Sequence, residues 1–167
     1  FLAYQAVGLP STVSARNTTL YSDVEDLSSV RLTYSDGSQG RFVCSWSVPG
    51  YPVLQLRLEI RGERGLLIAD QFGLKVQLDE SFHGLKRGTT HLDISDIETS
   101  VKFDPAFENN GMMFVEQDSA FVEGILNNRD LPTEANHAVA MESIIDAIYR
   151  SADYSTTVRL SAGGESP

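Results

Sequence analysis

One stretch of the chain, Leu54–Ile60, alternates apolar and polar residues without exception. A period of two residues is that of a β-strand, in which successive side chains point to opposite faces of the sheet. Its four apolar residues predict a core face, and the polar residues between them predict a face of mixed charge. We expect this strand to fix the register of its neighbours.

Alternating segments before and after this strand predict the rest of a sheet. Leu27–Tyr34 and Gly40–Val48 alternate, and Asp36-Gly37 between them predicts a tight hairpin, because Asp-Gly tolerates the positive φ that such a turn requires. Three further extended segments are predicted, at residues 11–21, 66–70 and 74–78. Together these segments predict an antiparallel meander of about six strands.

Helical patterns lie at the two ends of the chain. Residues 1–7 are followed by Gly8 and Pro10, which is typical of a helix end. Residues 79–110 show no sustained period and predict a long irregular connection, after which helical spacing of apolar residues begins at Gly111. A last helix is predicted to open at residues 132–134. Its predicted apolar stripe comprises Ala138, Met141, Ile145, Ile148 and Ala152.

These patterns predict an α+β fold, with an open, mostly antiparallel sheet of about six strands and helices packed on one face. A chain of 167 residues is the right size for one domain with a substantial core. We expect that domain to cover residues 1–160, with a flexible tail at 161–167.

The composition of the chain argues against some classes of binding partner. With 13 Lys+Arg against 23 Asp+Glu, the net charge is −10, which argues against a nucleic acid or an anionic membrane as partner. No apolar run approaches the ~18 residues of a membrane span. The single cysteine, Cys44, cannot form an internal disulfide and favours a reducing compartment, so we expect a cytoplasmic location.

Few residues suggest catalytic or metal chemistry. Ser45 and Ser47 have no recognisable base partner. His83 and His91 lie in the predicted irregular connection, and their spacing from nearby aspartates matches no compact metal motif. We therefore predict no metal site. A contact from His91 to a substrate is an alternative to its being an ordinary surface residue, because loops often carry binding groups.

Several segments, in the same order, resemble the C-terminal domain of the glucose–fructose oxidoreductase / inositol dehydrogenase (Gfo/Idh/MocA) family. No single segment is specific, but the ordered set spans residues 1 to about 160. The segments that carry the resemblance are Gly8–Pro10, Asp23–Asp26, Asp36–Ser38, Ser45–Trp46, Leu58–Gly65, Phe121–Ile125 and Ala147–Ala152.

The resemblance implies the substrate-side half of an NAD(P)-dependent oxidoreductase that acts on a sugar or cyclitol. Family members place an N-terminal Rossmann domain before such a domain. This chain contains no Gly-x-Gly-x-x-Gly sequence to cradle a pyrophosphate and no Glu-Lys-Pro segment, from which the family's catalytic lysine comes. We therefore expect NAD or NADP to be bound in the full-length protein, and the isolated chain to bind no cofactor and to be inactive.

The resemblance also implies which residues contact a substrate. Trp46 and Tyr51 flank a Pro-Gly turn in a region that faces the substrate in the family. We therefore predict Trp46, Tyr51 and His91 as substrate-binding residues. The alternatives are core packing for Trp46 and turn packing for Tyr51.

The polar face of the predicted sheet is a candidate dimer surface. It comprises Arg31, Thr33, Gln55, Arg57, Glu59 and Arg61. Such a face can pair with its own copy across a two-fold axis, or it can simply be solvated. A homodimer is therefore one prediction, and a non-catalytic binding or assembly domain with the same fold is the rival to the oxidoreductase interpretation.

Overall fold

A computed structural model describes residues 2–50, 55–70, 72–93, 111–129, 131 and 135–160. The predicted tail at 161–167 lies outside these residues, as do Tyr51 and Leu54. The elements in chain order are α1 (Leu2–Val7), β1 (Thr12–Thr18), β2 (Leu27–Thr33), β3 (Gln39–Ser45), β4 (Arg57–Gly62), β5 (Gly65–Asp70), β6 (Gly73–Leu78), β7 (Gly88–Asp93), α2 (Gly111–Asn127), α3 (Ala135–Tyr154) and β8 (Val158–Arg159).

The chain divides into two compact units. The first unit comprises Phe1–Pro52 and Thr133–Pro167, and the second comprises Val53–Pro132. Each unit contains one four-stranded antiparallel sheet, with the strand order β3-β2-β1-β8 in the first and β4-β5-β6-β7 in the second.

The first unit has a core between its sheet and α3, which packs against β1. Strand pairing sets Val13 opposite both Leu32 and Val158, so these side chains share the covered face. The buried hydrophobic residues of this core are Val13, Val30, Leu32, Tyr34, Ala147 and Val158. Burial of each large apolar side chain contributes about 1.5–3 kcal/mol, which makes this core the main stabilising feature of the unit.

The second unit has a sheet with one apolar and one polar face. Leu58 and Ile60 share the apolar face with Ala69 and Leu67, their partners on β5, and all four side chains are half-buried. The predicted core position of Leu56 is wrong. Its side chain is 52% exposed, because it precedes the first paired residue of β4.

Helix ends follow the signals in the sequence. The N–H of Gly8, with φ of 79°, donates to the carbonyl of Tyr4 and closes α1, as its position before Pro10 predicts. In the second unit, α2 ends at Asn127 and is followed by Asn128, whose φ of 49° is also left-handed. The buried Gly124 of this helix lies against Leu131, so the chain folds back on α2 after it ends.

The α+β class and the antiparallel strand pairing are confirmed. The strands form two sheets of four, however, and the prediction of a single sheet of about six strands differs in this respect. Residues 88–93 form β7, so the interpretation of that stretch as irregular is wrong. The apolar stripe predicted on α3 is rotated from the observed one: Ala138 and Ile145 are exposed, whereas Ala147 and Ser151 are buried.

Candidate functional site

Asp26 organises the loops at one end of the first unit's sheet. The residue is buried, and its carboxylate accepts hydrogen bonds from the backbone N–H groups of Leu20 and Tyr21, each at 2.8 Å. Its backbone carbonyl accepts from the Ser45 hydroxyl at 2.8 Å and from the Trp46 N–H at 3.3 Å. One residue therefore joins the β1–β2 connection to the end of β3.

Electrostatics at Asp26 favour the ionised carboxylate. Burial raises its pKa, but the hydrogen bonds from the Tyr21 and Leu20 N–H groups outweigh this, so the pKa lies below the ordinary value. An ionised carboxylate accepts stronger hydrogen bonds than a neutral acid. The loop conformation therefore depends on the charged form.

Two large aromatic side chains project from the backbone segments that Asp26 holds. Trp46 is 79% exposed and Tyr21 is 76% exposed. Trp46 follows the last residue of β3, which is an edge strand, and its ring is not part of the core. The alternative of core packing for Trp46 is therefore wrong. Exposed aromatic rings present flat apolar surface, which suits the C–H faces of a sugar ring.

The sequence interpretation missed Tyr21. The signal that was available is Asp26 itself, an aspartate at the end of a polar turn, because Asp side chains accept hydrogen bonds from nearby backbone N–H groups. No local pattern in the sequence, however, shows that Tyr21 and Trp46 are attached to the same residue.

A second contact ties this loop to α3. The Tyr149 hydroxyl donates a hydrogen bond to the Glu25 carboxylate. This bond lowers the pKa of Glu25 and raises that of Tyr149. The residue next to Asp26 is thus fixed to the helix that covers the core.

The other two predicted site residues are not on the segments that Asp26 holds. His91 lies on β7 in the second unit, where it is exposed and opposite Lys75 of β6. Trp46 and His91 therefore belong to different units. Tyr51 lies outside the described residues, so its role stays a prediction.

The second unit has a cleft of about 550 Å³ on the apolar side of its sheet. Residues that line it include Ile60, Leu67, Leu74, Val76, Phe82 and Leu85. The Arg64 guanidinium stacks 4.4 Å from the centre of the Phe82 ring at its margin. This largely apolar lining offers few groups that could orient a hydroxyl-bearing ligand.

The residues of the predicted dimer face belong to two different units. Arg31 belongs to β2 in the first unit, whereas Arg57, Glu59 and Arg61 lie on β4 in the second. The Glu59 carboxylate is 3.2 Å from Arg57 and 3.9 Å from Arg61. These three residues share one sheet face with Lys75 and His91.

In the described part of the chain, no three His, Cys, Asp or Glu side chains come together as metal ligands. None of the helices in the same residues has the length and apolar character of a membrane span.

Comparisons with known proteins identify the fold. Residues 2–68 match the family model described as the GFO/IDH/MocA C-terminal domain. No curated protein matches the chain. Among solved structures, GenD2 from gentamicin A biosynthesis, in complex with NAD, is 26% identical with a TM-score of 0.64. The match covers 92% of this chain and 42% of GenD2.

Two further solved structures share the fold at lower identity. An oxidoreductase from Agrobacterium radiobacter, in complex with NAD⁺, L-tartaric acid and magnesium, is 18% identical with a TM-score of 0.75, covering 95% of this chain and 45% of that one. Levoglucosan dehydrogenase, in complex with NADH and levoglucosan, is 18% identical with a TM-score of 0.77, covering 95% and 46%.

The chain thus spans less than half the length of each of these solved structures. The matched family model and the shared fold agree with the resemblance in the ordered segments of the sequence. Residues 2–68 are therefore similar to the C-terminal domain of the Gfo/Idh/MocA family, and nearly the whole chain shares the fold of part of these solved structures.

Proposed function

We propose that this chain is the substrate-binding and oligomerisation part of an NAD(P)-dependent dehydrogenase that acts on the CH–OH group of a sugar or cyclitol. The observation that supports the proposal is how much of this chain, and how much of each solved structure, the matches cover. Nearly all of this chain matches less than half of proteins solved with NAD or NADH, one of them with levoglucosan. The cofactor would be bound by a Rossmann domain outside this chain.

A nicotinamide cofactor held there would supply the acceptor for the hydride of the CH–OH group, and the hydroxyl proton would go to a base outside this chain. This chain contributes surfaces that bind and orient the sugar, and Trp46 and Tyr21 are the residues that we assign to this role. Their exposed rings can stack on the apolar face of a sugar, and Asp26 holds the backbone of both. His91 and Tyr51 stay as further candidates for substrate contact.

Sugar binding can be measured directly, because Trp46 is the only tryptophan in the chain. Levoglucosan titrated into the chain should change the Trp46 fluorescence with saturation, and Tyr21→Ala should weaken that response. Tyr154→Ala is the matched control, since Tyr154 is 77% exposed at the end of α3. A fluorescence signal unchanged by levoglucosan and by related sugars would refute the assignment of Trp46.

The redox part of the proposal needs the longer protein. If the coding sequence that precedes Phe1 encodes a Gly-rich strand–turn–helix and a Lys-Pro segment, the longer protein should reduce NAD⁺ or NADP⁺ with a sugar, and the isolated chain should not. Preceding sequence without these features would instead favour a non-catalytic binding or assembly domain. The cytoplasmic location expected from the single cysteine stays a prediction.

We also propose that the protein dimerises through the polar face of β4–β7. Opposite charges alternate there around Glu59, and the half-buried Leu66 and Ile68 lie among them. A face of mixed charge can complement its own copy about a two-fold axis. Light scattering should show a mass that rises with concentration, and Glu59→Arg should lower the dimer fraction. A monomer at all concentrations would contradict this proposal.

A further inference from the structure

The loop between β1 and β2 brings carboxylates next to one of the aromatic rings assigned to sugar binding. Residues 19–26 form this loop, and a 3.1 Å hydrogen bond from the Asp26 N–H to the last residue of β1 closes it. Tyr21, Asp23 and Glu25 therefore lie close together in one short closed loop. Tyr21 and Asp23 are exposed, and Glu25 is half-buried.

Glu25 is held in position and is charged. The Tyr149 hydroxyl donates to its carboxylate and lowers its pKa, so Glu25 is ionised at neutral pH. Tyr149 lies on α3 between Ala147 and Ser151, which are both buried in the core of this unit. A carboxylate has about four acceptor positions, so Glu25 can also accept a hydrogen bond from a ligand while it keeps the bond to Tyr149.

The loop carries negative charge without a basic residue of its own. Residues 19–26 include Asp23, Glu25 and Asp26 but no Lys, Arg or His. The Asp26 carboxylate is buried and bonded to backbone N–H groups of the same loop. Among the residues that the structure describes, none of the ion pairs includes Asp23 or Glu25. These two carboxylates therefore give the candidate sugar site a negative potential.

We propose that Glu25 makes the candidate sugar site selective for sugars that carry a protonated amino group. This inference rests on the proposed function, because the sugar is the one that Trp46 and Tyr21 bind there. An ammonium group is attracted both to the faces of aromatic rings and to carboxylates. The loop presents a ring and a fixed carboxylate within a few residues, and Asp23 between them adds to the attraction.

Other classes of sugar fit these charges less well. A uronic acid or a sugar phosphate would bring negative charge towards Asp23 and Glu25, on a chain with a net charge of −10. A neutral sugar can donate a hydroxyl hydrogen bond to Glu25 but gains neither an ion pair nor a cation–π contact. The difference between an amino sugar and a neutral sugar of the same shape therefore measures the contribution of the charge.

The test compares four sugars on the whole chain: glucosamine, N-acetylglucosamine, glucose and glucuronate. Binding is followed by the fluorescence of Trp46, the only tryptophan, at constant ionic strength and at a pH at which glucosamine is protonated. Glu25→Gln removes the charge but keeps an oxygen that can accept from Tyr149. The matched control is Glu142→Gln, the same change at an exposed residue of α3.

We expect glucosamine to bind about tenfold more tightly than glucose or N-acetylglucosamine, from one exposed ion pair and one exposed cation–π contact. Glucuronate should bind most weakly. Glu25→Gln should weaken glucosamine binding about threefold and leave glucose binding unchanged, whereas Glu142→Gln should change neither. Added salt should reduce the preference for glucosamine.

Glucose binding separates this inference from the proposed function. If glucose binds and glucosamine binds no more tightly, the sugar site stands and its selectivity is refuted. If Glu25→Gln and Glu142→Gln weaken glucosamine binding equally, Glu25 is not the selective residue. If none of the four sugars changes the Trp46 fluorescence, both the sugar site and its selectivity are refuted.

Discussion

Ser151 is a polar residue at the centre of the helix–sheet core, and replacing it with alanine tests how the first unit is held together. Ser151 is 1% exposed. Its hydroxyl donates to the carbonyl of Thr156 at 2.5 Å and accepts from the N–H of Ala15 at 2.8 Å. The second bond exists because β8 pairs with β1 only at Thr12 and Val13. Beyond Val13, the Ser151 hydroxyl takes the place of the missing strand.

The expected cost of Ser151→Ala follows from these bonds. An unsatisfied buried donor costs about 1–3 kcal/mol, and the Ala15 N–H would become one. Thr156 is exposed, so its carbonyl can bond to water instead. Alanine is the better helix former by about 0.5 kcal/mol, which offsets part of the loss. We therefore expect a net destabilisation of about 1–2 kcal/mol.

The assay combines urea unfolding with amide hydrogen exchange. Ser143→Ala is the control, because Ser143 is on the same helix and its hydroxyl donates to the helical carbonyl of Val139, at 2.9 Å. That variant should be neutral or slightly stabilising. In Ser151→Ala, exchange at the Ala15 amide should accelerate more than at its neighbours. If both variants unfold at the same urea concentration and Ala15 stays protected, Ser151 does not complete the sheet edge.

Three further predictions concern other parts of the chain. Gly73→Ala should destabilise the second unit by more than about 2 kcal/mol, because the new Cβ would lie 2.2 Å from a backbone carbonyl oxygen of β7. Gly84→Ala is the control, because the space around Gly84 is open and the substitution should cost only the strain of the left-handed backbone. Equal urea midpoints for the two variants would refute the steric reason. Because the pKa of Asp26 is lowered, its charge stabilises the fold above pH 3.8, and this contribution is lost as the pH falls further. Asp26→Asn should therefore be less stable than the unaltered chain at neutral pH. Its unfolding free energy should also lack this part of the dependence on acid pH. Arg41→Glu should stabilise the first unit by about 0.5 kcal/mol in urea unfolding, because it turns a repulsion with Arg31 into an attraction, and a loss of stability would contradict that reason.

Local signals in the sequence predicted much of the secondary structure. The hairpin at Asp36-Gly37 formed as expected, with φ of 86° at Gly37 and a hydrogen bond from its N–H to the Tyr34 carbonyl. The alternation around Leu58 and Ile60 gave both the strand and its apolar face. In each case, the information lies within a few residues, because turn geometry and the two-residue period are local properties.

The assembly of the strands into sheets was not predictable in the same way. Alternation tells which side of a strand is apolar, but not which sheet the strand joins. Strand β8 has two residues, and its sequence carries no recognisable pattern; it is a strand because it pairs with β1. Strand β7 is likewise defined by six pairings with β6. Such long-range pairings have no short-range signature.

The rotated stripe of α3 has a comparable cause. A count of apolar residues placed Ile145 in the core, yet its side chain is 45% exposed. The buried side of the helix is centred on Ala147 and Ser151, a small residue and a hydroxyl. Small residues allow the helix to approach β1 closely, and the hydroxyl satisfies the Ala15 N–H. The requirements of the sheet edge thus determined which face of the helix is buried.

Asp26 shows how the same principle applies to the candidate sugar site. Trp46 and Tyr21 are far apart in sequence, and each is an exposed aromatic residue that by itself suggests no site. They become a candidate pair because one buried residue bonds the backbone of both, through its carboxylate to Tyr21 and through its carbonyl to Trp46. Removing the charge of Asp26 should therefore release the Tyr21 segment, while the bond to Trp46, made by the backbone, should persist. Sugar titrations of Asp26→Asn should then resemble those of Tyr21→Ala, and a response equal to that of the unaltered chain would show that Tyr21 does not depend on Asp26 for its position.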